Sequence, residues 1–109
     1  MDSTERLIFW NKIIRFVDDF RRDPTKEKMQ EVDMGHPDAN AFFAGVVEKL
    51  SQEQSIEPPV WIFKKKYYLQ EPFFMGELKG ISRILTILET PLAFKTRNIY
   101  IGANTFDRC

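Results

Sequence analysis

The sequence predicts a mainly α fold: a small, single-domain helical bundle over residues 1–109, completed by an extended aromatic and proline-rich connector and a docked C-terminal tail. Three observations carry this expectation. Three long segments repeat apolar residues at three- and four-residue steps, the period of one helix face. The helix-breaking prolines Pro58, Pro59, Pro72 and Pro91 fall between or after those segments. Strand-favouring runs are few, and an isolated pair of strands is only marginally stable.

The first helix reads STERLIFWNKIIRFVDDFRRD. Ser3 or Thr4 is expected to cap it, Glu5 suits the positive end of the helix dipole, and Arg21 and Arg22 suit the other end. Leu7, Trp10, Ile13, Ile14, Val17 and Phe20 form its apolar stripe, which Phe9 and Phe16 widen. A stripe this broad is either central to the core or shared with a partner. Asp23-Pro24 then reads as a cap plus first-turn proline, opening a short polar helix to about Val32. DMGHP, residues 33–37, is a turn, and DANAFFAGVVEKLSQEQ is the second long helix, beginning at Asp38 or the residue before it. Ala39, Phe42, Phe43, Val46, Val47 and Leu50 make its apolar face, with Glu48, Lys49, Gln52 and Glu53 expected in water. Gly45 costs that helix roughly 1 kcal/mol relative to alanine, which a close approach by a neighbouring helix would explain.

The middle section, SIEPPVWIFKKKYYLQEPFFMGE, reads as an extended connector packed over the helices, with room for one helical turn. A short hairpin between VWIF and NIYIG is the alternative, so residues 57–70 stay open between extended, helical and strand conformations. MGELKGISRILTILET supplies the last helix, with Leu78, Ile81, Leu85 and Leu88 on one face and Ile84 and Ile87 beside them. Thr90-Pro91 ends it, because the residue before proline is pushed out of the helical region. In the tail that follows, TPLAFKTRNIYIGANTF, the side chains of Phe94, Ile99, Ile101 and Phe106 carry more apolar area than a free tail leaves in water.

Composition narrows the function classes. Lys plus Arg and Asp plus Glu each total 16, so the formal net charge is zero. A dedicated nucleic-acid binder shows a basic excess, since neutralising phosphates supplies most non-specific affinity. Zero net charge also removes the repulsion that keeps small domains apart, so self-association is in scope. The one cysteine, Cys109, has no partner for an intramolecular disulfide. The N-terminus shows no signal-peptide pattern, and no apolar run approaches the roughly 18 residues of a membrane span. The expectation is a cytoplasmic protein without membrane association.

No catalytic constellation emerges. His36 is the only histidine and sits in a predicted turn, without the partner a general base needs. Cys109, beside Arg108, lacks the structured electropositive surroundings of a reactive thiol. Asp18, Asp19, Asp23, Glu27, Glu31 and Asp33 alternate with Lys12, Arg15, Lys26 and Lys28 as on a solvated surface, and the adjacent pair Asp18 and Asp19 point roughly 100° apart. Gly76, Gly80 and Gly102 do not make a phosphate loop. The expectation is therefore a non-enzyme with no metal and no cofactor.

Two binding patterns remain. Aromatic residues and arginine dominate interface hot spots, which makes Trp61, Tyr67, Phe73, Phe94 and Arg97 the candidate partner-binding anchors. Lys64, Lys65 and Lys66 beside Tyr67 and Tyr68 suit single-stranded nucleic acid, where rings stack on bases and ammonium groups meet phosphates. Arg83, Lys95 and Arg97 would join this second group if the tail folds back on the connector.

The pattern EPPVW, then KYYLQEPFF, then ETPLAFKTRNIYIGANTF, over residues 57–109, resembles a family of small bacterial proteins and C-terminal domains linked to helix-turn-helix or toxin–antitoxin-type regulators. Pro59, Trp61, Tyr67, Leu69, Glu71, Pro72, Phe73, Pro91, Phe94, Arg97, Asn98 and Ile99 are the positions that carry the likeness. The resemblance implies a helical, non-enzymatic regulator that binds a partner, in the manner of an antitoxin. The N-terminal half departs from it, because it does not read as a five-helix repressor domain.

Overall fold

The computed structural model describes residues 3–74 and 90–101. Helix α1 spans Ser3–Arg22, and its stripe buries Phe9, Ile13, Val17 and Phe20. Ser3 and Thr4 lie within the helix as described, so neither is seen as its cap. Helix α2 spans Pro37–Glu53 and is the centre of the core, with an unbroken buried run from Ala41 to Val47. His36 is its N-cap: Nδ1 accepts a hydrogen bond from the Asp38 amide at 3.3 Å, and Pro37 takes the first helical position, where its missing N–H costs nothing.

The two helices run side by side in the same direction. Near their N-terminal ends Phe9 meets Phe42 edge-on at 5.5 Å, and at their C-terminal ends Arg21 donates two hydrogen bonds to the Glu53 carboxylate, both at 2.9 Å. The connection between them must therefore travel back along α2. Near one end of α2, the Ser51 hydroxyl donates to Met29 Sδ at 3.2 Å; near the other, Asn40 Oδ1 accepts from the Met34 amide at 2.6 Å. Ser51 and Asn40 are separated by roughly 16 Å of helix axis. The chain from Met29 to Met34 covers that distance only when nearly fully extended, at about 3.3 Å per residue. This geometry corrects the expected short helix from Pro24 to Val32. Only a 3₁₀ turn, Lys26–Lys28, forms, and its Thr25 stands where a cap would be.

VWIF is not a strand. Val60–Phe63 forms a 3₁₀ turn and Lys65–Tyr67 a second one. A strand would send neighbouring Trp61 and Ile62 to opposite faces. The turn lets both face the core while Val60 and Phe63, three apart, eclipse each other outside. Trp61 stacks on Phe43 at 5.9 Å and donates its Nε1–H to the Met29 carbonyl at 3.0 Å.

The hairpin alternative is corrected as well. NIY does pair, but β2 (Ile99–Tyr100) lies parallel to β1 (Phe73–Phe74), with Phe73 opposite Ile99 and Phe74 opposite Tyr100. A parallel pair requires a long connection in place of a tight turn, and residues 75–98 separate the two strands in sequence. The helix expected over MGELKGISRILTILET, with Gly76, Gly80 and Arg83, lies outside the described residues, as do Gly102, Phe106 and Cys109. The tail is docked over residues 90–101. Helix α3 (Leu92–Lys95) sets Phe94 against Gly45, and Ile99 and Ile101 are buried. Thr90 closes the segment, donating to the Ile101 carbonyl at 2.8 Å and accepting from its amide at 3.1 Å. Gly45 thus meets the close approach its place in a helix implied: a Cβ there would lie 2.7 Å from the Phe94 ring.

Candidate functional site

The connector and the tail meet on one flank of α2, and the candidate anchors and nucleic-acid contacts among the described residues lie in that region. Arg97 is at its centre and is fully buried. It follows α3, and Asn98 beyond it holds φ +65, a left-handed conformation that asparagine tolerates better than most residues. The guanidinium Nη1 donates to the Ala93 carbonyl at 2.8 Å and forms an ion pair with Glu48 of α2. Nη2 donates to the Ile62 carbonyl at 2.8 Å, and the cationic carbon lies 4.8 Å from the centre of the Tyr68 ring. One side chain therefore ties together α2, the first connector turn and α3. Glu48 was expected in water; it is turned inward because Arg97 cannot be buried without a counter-charge.

A second cluster forms around Glu31. Its carboxylate accepts from Lys64 Nζ at 2.8 Å and from the Tyr67 hydroxyl, and Lys66 Nζ stands 3.8 Å away. The Lys64 hydrogen bond, reinforced by that of Tyr67, holds the Glu31 carboxyl below its ordinary range. Burial, then the hydrogen bond to Glu31, pushes the Tyr67 hydroxyl up to about 12. Lys66 also stands 5.2 Å from the centre of the Tyr67 ring. The extended strap from Met29 to Met34 is thereby fastened to the connector from its outer side as well as by Trp61.

Of the proposed partner-binding anchors, Tyr67, Phe73, Phe94 and Arg97 are buried and Trp61 is half-buried. Their surfaces are spent on contacts within the chain. Of the nucleic-acid candidates, Lys64, Lys65 and Lys66 are exposed, Tyr68 and Lys95 are half-buried, and Arg97 belongs to the interior. The tail does fold back on the connector: the Leu69 amide donates to the Arg97 carbonyl at 3.2 Å, and the Phe73 amide to the Asn98 carbonyl at 2.9 Å. That contact brings Arg97 to Tyr68 while removing both from the outer lysine cluster.

Sequence reasoning placed Glu31 and Glu48 on solvated surfaces and Thr90 only at a helix end, and so missed the contacts they make. An arginine among Phe94, Ile99 and Ile101 was the available signal for a buried cation, and hence for an inward carboxylate. Leu7, which its spacing placed in the apolar stripe of α1, instead remains in water, as do Ile8 beside it, Val60 and Phe63 on the first connector turn, and Leu92 on α3, all more than half exposed. A cleft of about 140 Å³ between α1 and the turn before α2 is lined by Ile8, Phe9 and Met34, with Glu5, Lys12 and His36 at its edge. Among the described residues, no three His, Cys, Asp or Glu side chains gather to hold a metal, and no helix is long and apolar enough to cross a membrane.

No protein-family model, curated protein or solved structure matches the chain.

Proposed function

We propose that this protein is a non-enzymatic regulator that works by binding a macromolecular partner, in the manner of an antitoxin. The observation that carries the reading is apolar area left in water on rigid elements of a chain with zero formal charge. Val60 and Phe63 are the clearest case, because Trp61 and Ile62 between them are anchored in the core. Such area favours association when a partner covers it. The antitoxin comparison rests on the resemblance of residues 57–109 described above. Purification of the tagged chain at native expression level from its own cells tests the reading. The expected result is a stoichiometric complex; recovery of the free monomer alone would refute it.

The consecutive exposed lysines Lys64, Lys65 and Lys66 favour a second reading, in which the chain associates with single-stranded nucleic acid. Glu31 already engages two of them, and Tyr67 points inward. Retention of an oligonucleotide that falls steeply with salt supports this reading; no retention at low or high salt removes it.

A further inference from the structure

We infer that the first connector turn and the lysine run after it form a docking surface for an acidic amphipathic helix. This deepens the partner-binding reading above and rests on it. Val60 is 87% exposed and Phe63 51% exposed, and as eclipsed residues of a 3₁₀ turn they stand side by side. Their separation along the turn is about 6 Å, three residues at 2.0 Å each. Apolar residues four apart on an α-helix rise by the same roughly 6 Å, so two such side chains on a partner helix can pack against both.

The turn is held before any partner arrives. Ile62 is fully buried with its carbonyl fixed by Arg97, and Trp61 is held by Phe43 and the Met29 carbonyl. A preorganised apolar pair loses little side-chain freedom on binding. The charge of the surroundings selects the partner's sign. Lys65 has no ion-pair partner among the described residues, and the Lys64 and Lys66 side chains remain 51% and 64% exposed despite their contact with Glu31. An ammonium group carries three donors, so both have donors to spare. Glu31 at contact, and Asp33 near Lys66, offset part of this charge but leave the lysines in excess.

The probes are fluorescent helical peptides of about 18 residues, built from glutamate and alanine with two leucines four positions apart. Three controls replace the glutamates by lysine, replace the leucines by serine, or use an oligothymidylate. Fluorescence anisotropy with the full chain should show saturable binding of the acidic leucine peptide and at least tenfold weaker binding of each control. The double variant Val60→Ser/Phe63→Ser should weaken binding about tenfold or more, and Lys65→Glu severalfold, with melting temperatures unchanged because all three side chains face water. Equal binding of the lysine peptide, or binding that survives the double variant, overturns the proposal. Preferred, salt-sensitive binding of the oligothymidylate assigns the surface to nucleic acid instead. If the chain sediments as a dimer that the double variant dissociates, the occupant is a second copy. Failure of every probe while the stoichiometric complex is still recovered from cells refutes this surface and leaves the partner-binding reading standing.

Discussion

Replacing Arg97 by methionine tests whether the arginine holds the fold together or waits for a partner. The change keeps a long apolar stem but deletes the charge, leaving Glu48 without its ion pair and the carbonyls of Ala93 and Ile62 without their side-chain donor. Breaking a buried pair by removing one member costs roughly 3–5 kcal/mol. The Glu48 side chain retains 16% of its exposure, so water relieves part of its loss and the lower part of that range applies. A loss of about 3 kcal/mol is a large share of the 5–15 kcal/mol typical of a domain, and lowers the melting temperature of one this size by about 12–24 °C. Differential scanning calorimetry and urea unfolding at neutral pH read both quantities. The double variant Arg97→Met/Glu48→Met should recover part of the loss, since no unpaired charge is then left inside. A single variant that melts within about 3 °C of the parent, well inside the shift expected here, would refute the clasp. If such a variant also lost its partner, Arg97 would be a binding anchor.

Other predictions follow from single contacts. Gly45→Ala gains about 1 kcal/mol of helix propensity, yet its Cβ would sit 2.7 and 2.8 Å from two carbons of the Phe94 ring, which is fully buried and packed on Phe42. Overpacking of roughly 1–3 kcal/mol should outweigh the gain, and a higher urea midpoint would contradict this. At the end of α2, Ser55 holds φ 55 while the Ile56 amide donates to the Ser51 carbonyl at 2.9 Å, the arrangement that usually ends in glycine. Ser55→Gly should therefore stabilise by about 0.5–1 kcal/mol in the same urea assay. The depressed Glu31 carboxyl contributes stability that is complete above its ordinary value of 4.5 and lost as pH falls through its lower folded value. Glu31→Gln should be less stable than the parent at pH 7, with the difference shrinking towards pH 3; a pH-independent difference would exclude the ion-pair cause. Tyr67, raised to about 12, contributes stability that is fully present below its ordinary value of 10.0 and disappears as pH approaches 12. Absorbance titration should show a late-ionising tyrosine that is absent in Tyr67→Phe.

Helices α1 and α2 were legible because their apolar spacing survives any arrangement of neighbours. Gly45 was legible for a related reason: a glycine in an otherwise good helix calls for a contact too close for a side chain. The segment from Pro24 to Val32 misled because its capping signals are local, whereas its conformation is set by the distance between two points on α2. VWIF left a helical turn and a strand both open because strand propensity describes single residues, while the need to bury Trp61 and Ile62 together arises only against Phe43 and Met29. Arg97 reads from composition as a basic surface residue. Its burial depends on Glu48, 49 positions earlier, a pairing no local pattern reveals. The connector and tail residues of the candidate site are likewise far apart in sequence, so which of them face inward and which outward could not be read from local patterns.

The placement of Arg97 has a consequence for the order in which the protein is made. While the chain is being synthesised, α1, α2 and both connector turns leave the ribosome well before residue 97. During that interval Glu48 has no counter-ion, the floor at Gly45 is uncovered, and β1 has no neighbouring strand. The segment that joins the others emerges after them, so the nascent protein passes through a stage in which the part of α2 that Phe94 covers is open. Folding that waits on contacts so distant in sequence is slow, and such a stage is exposed to aggregation or to capture by another chain. Pausing translation after residue 90 would hold the molecule in that open form.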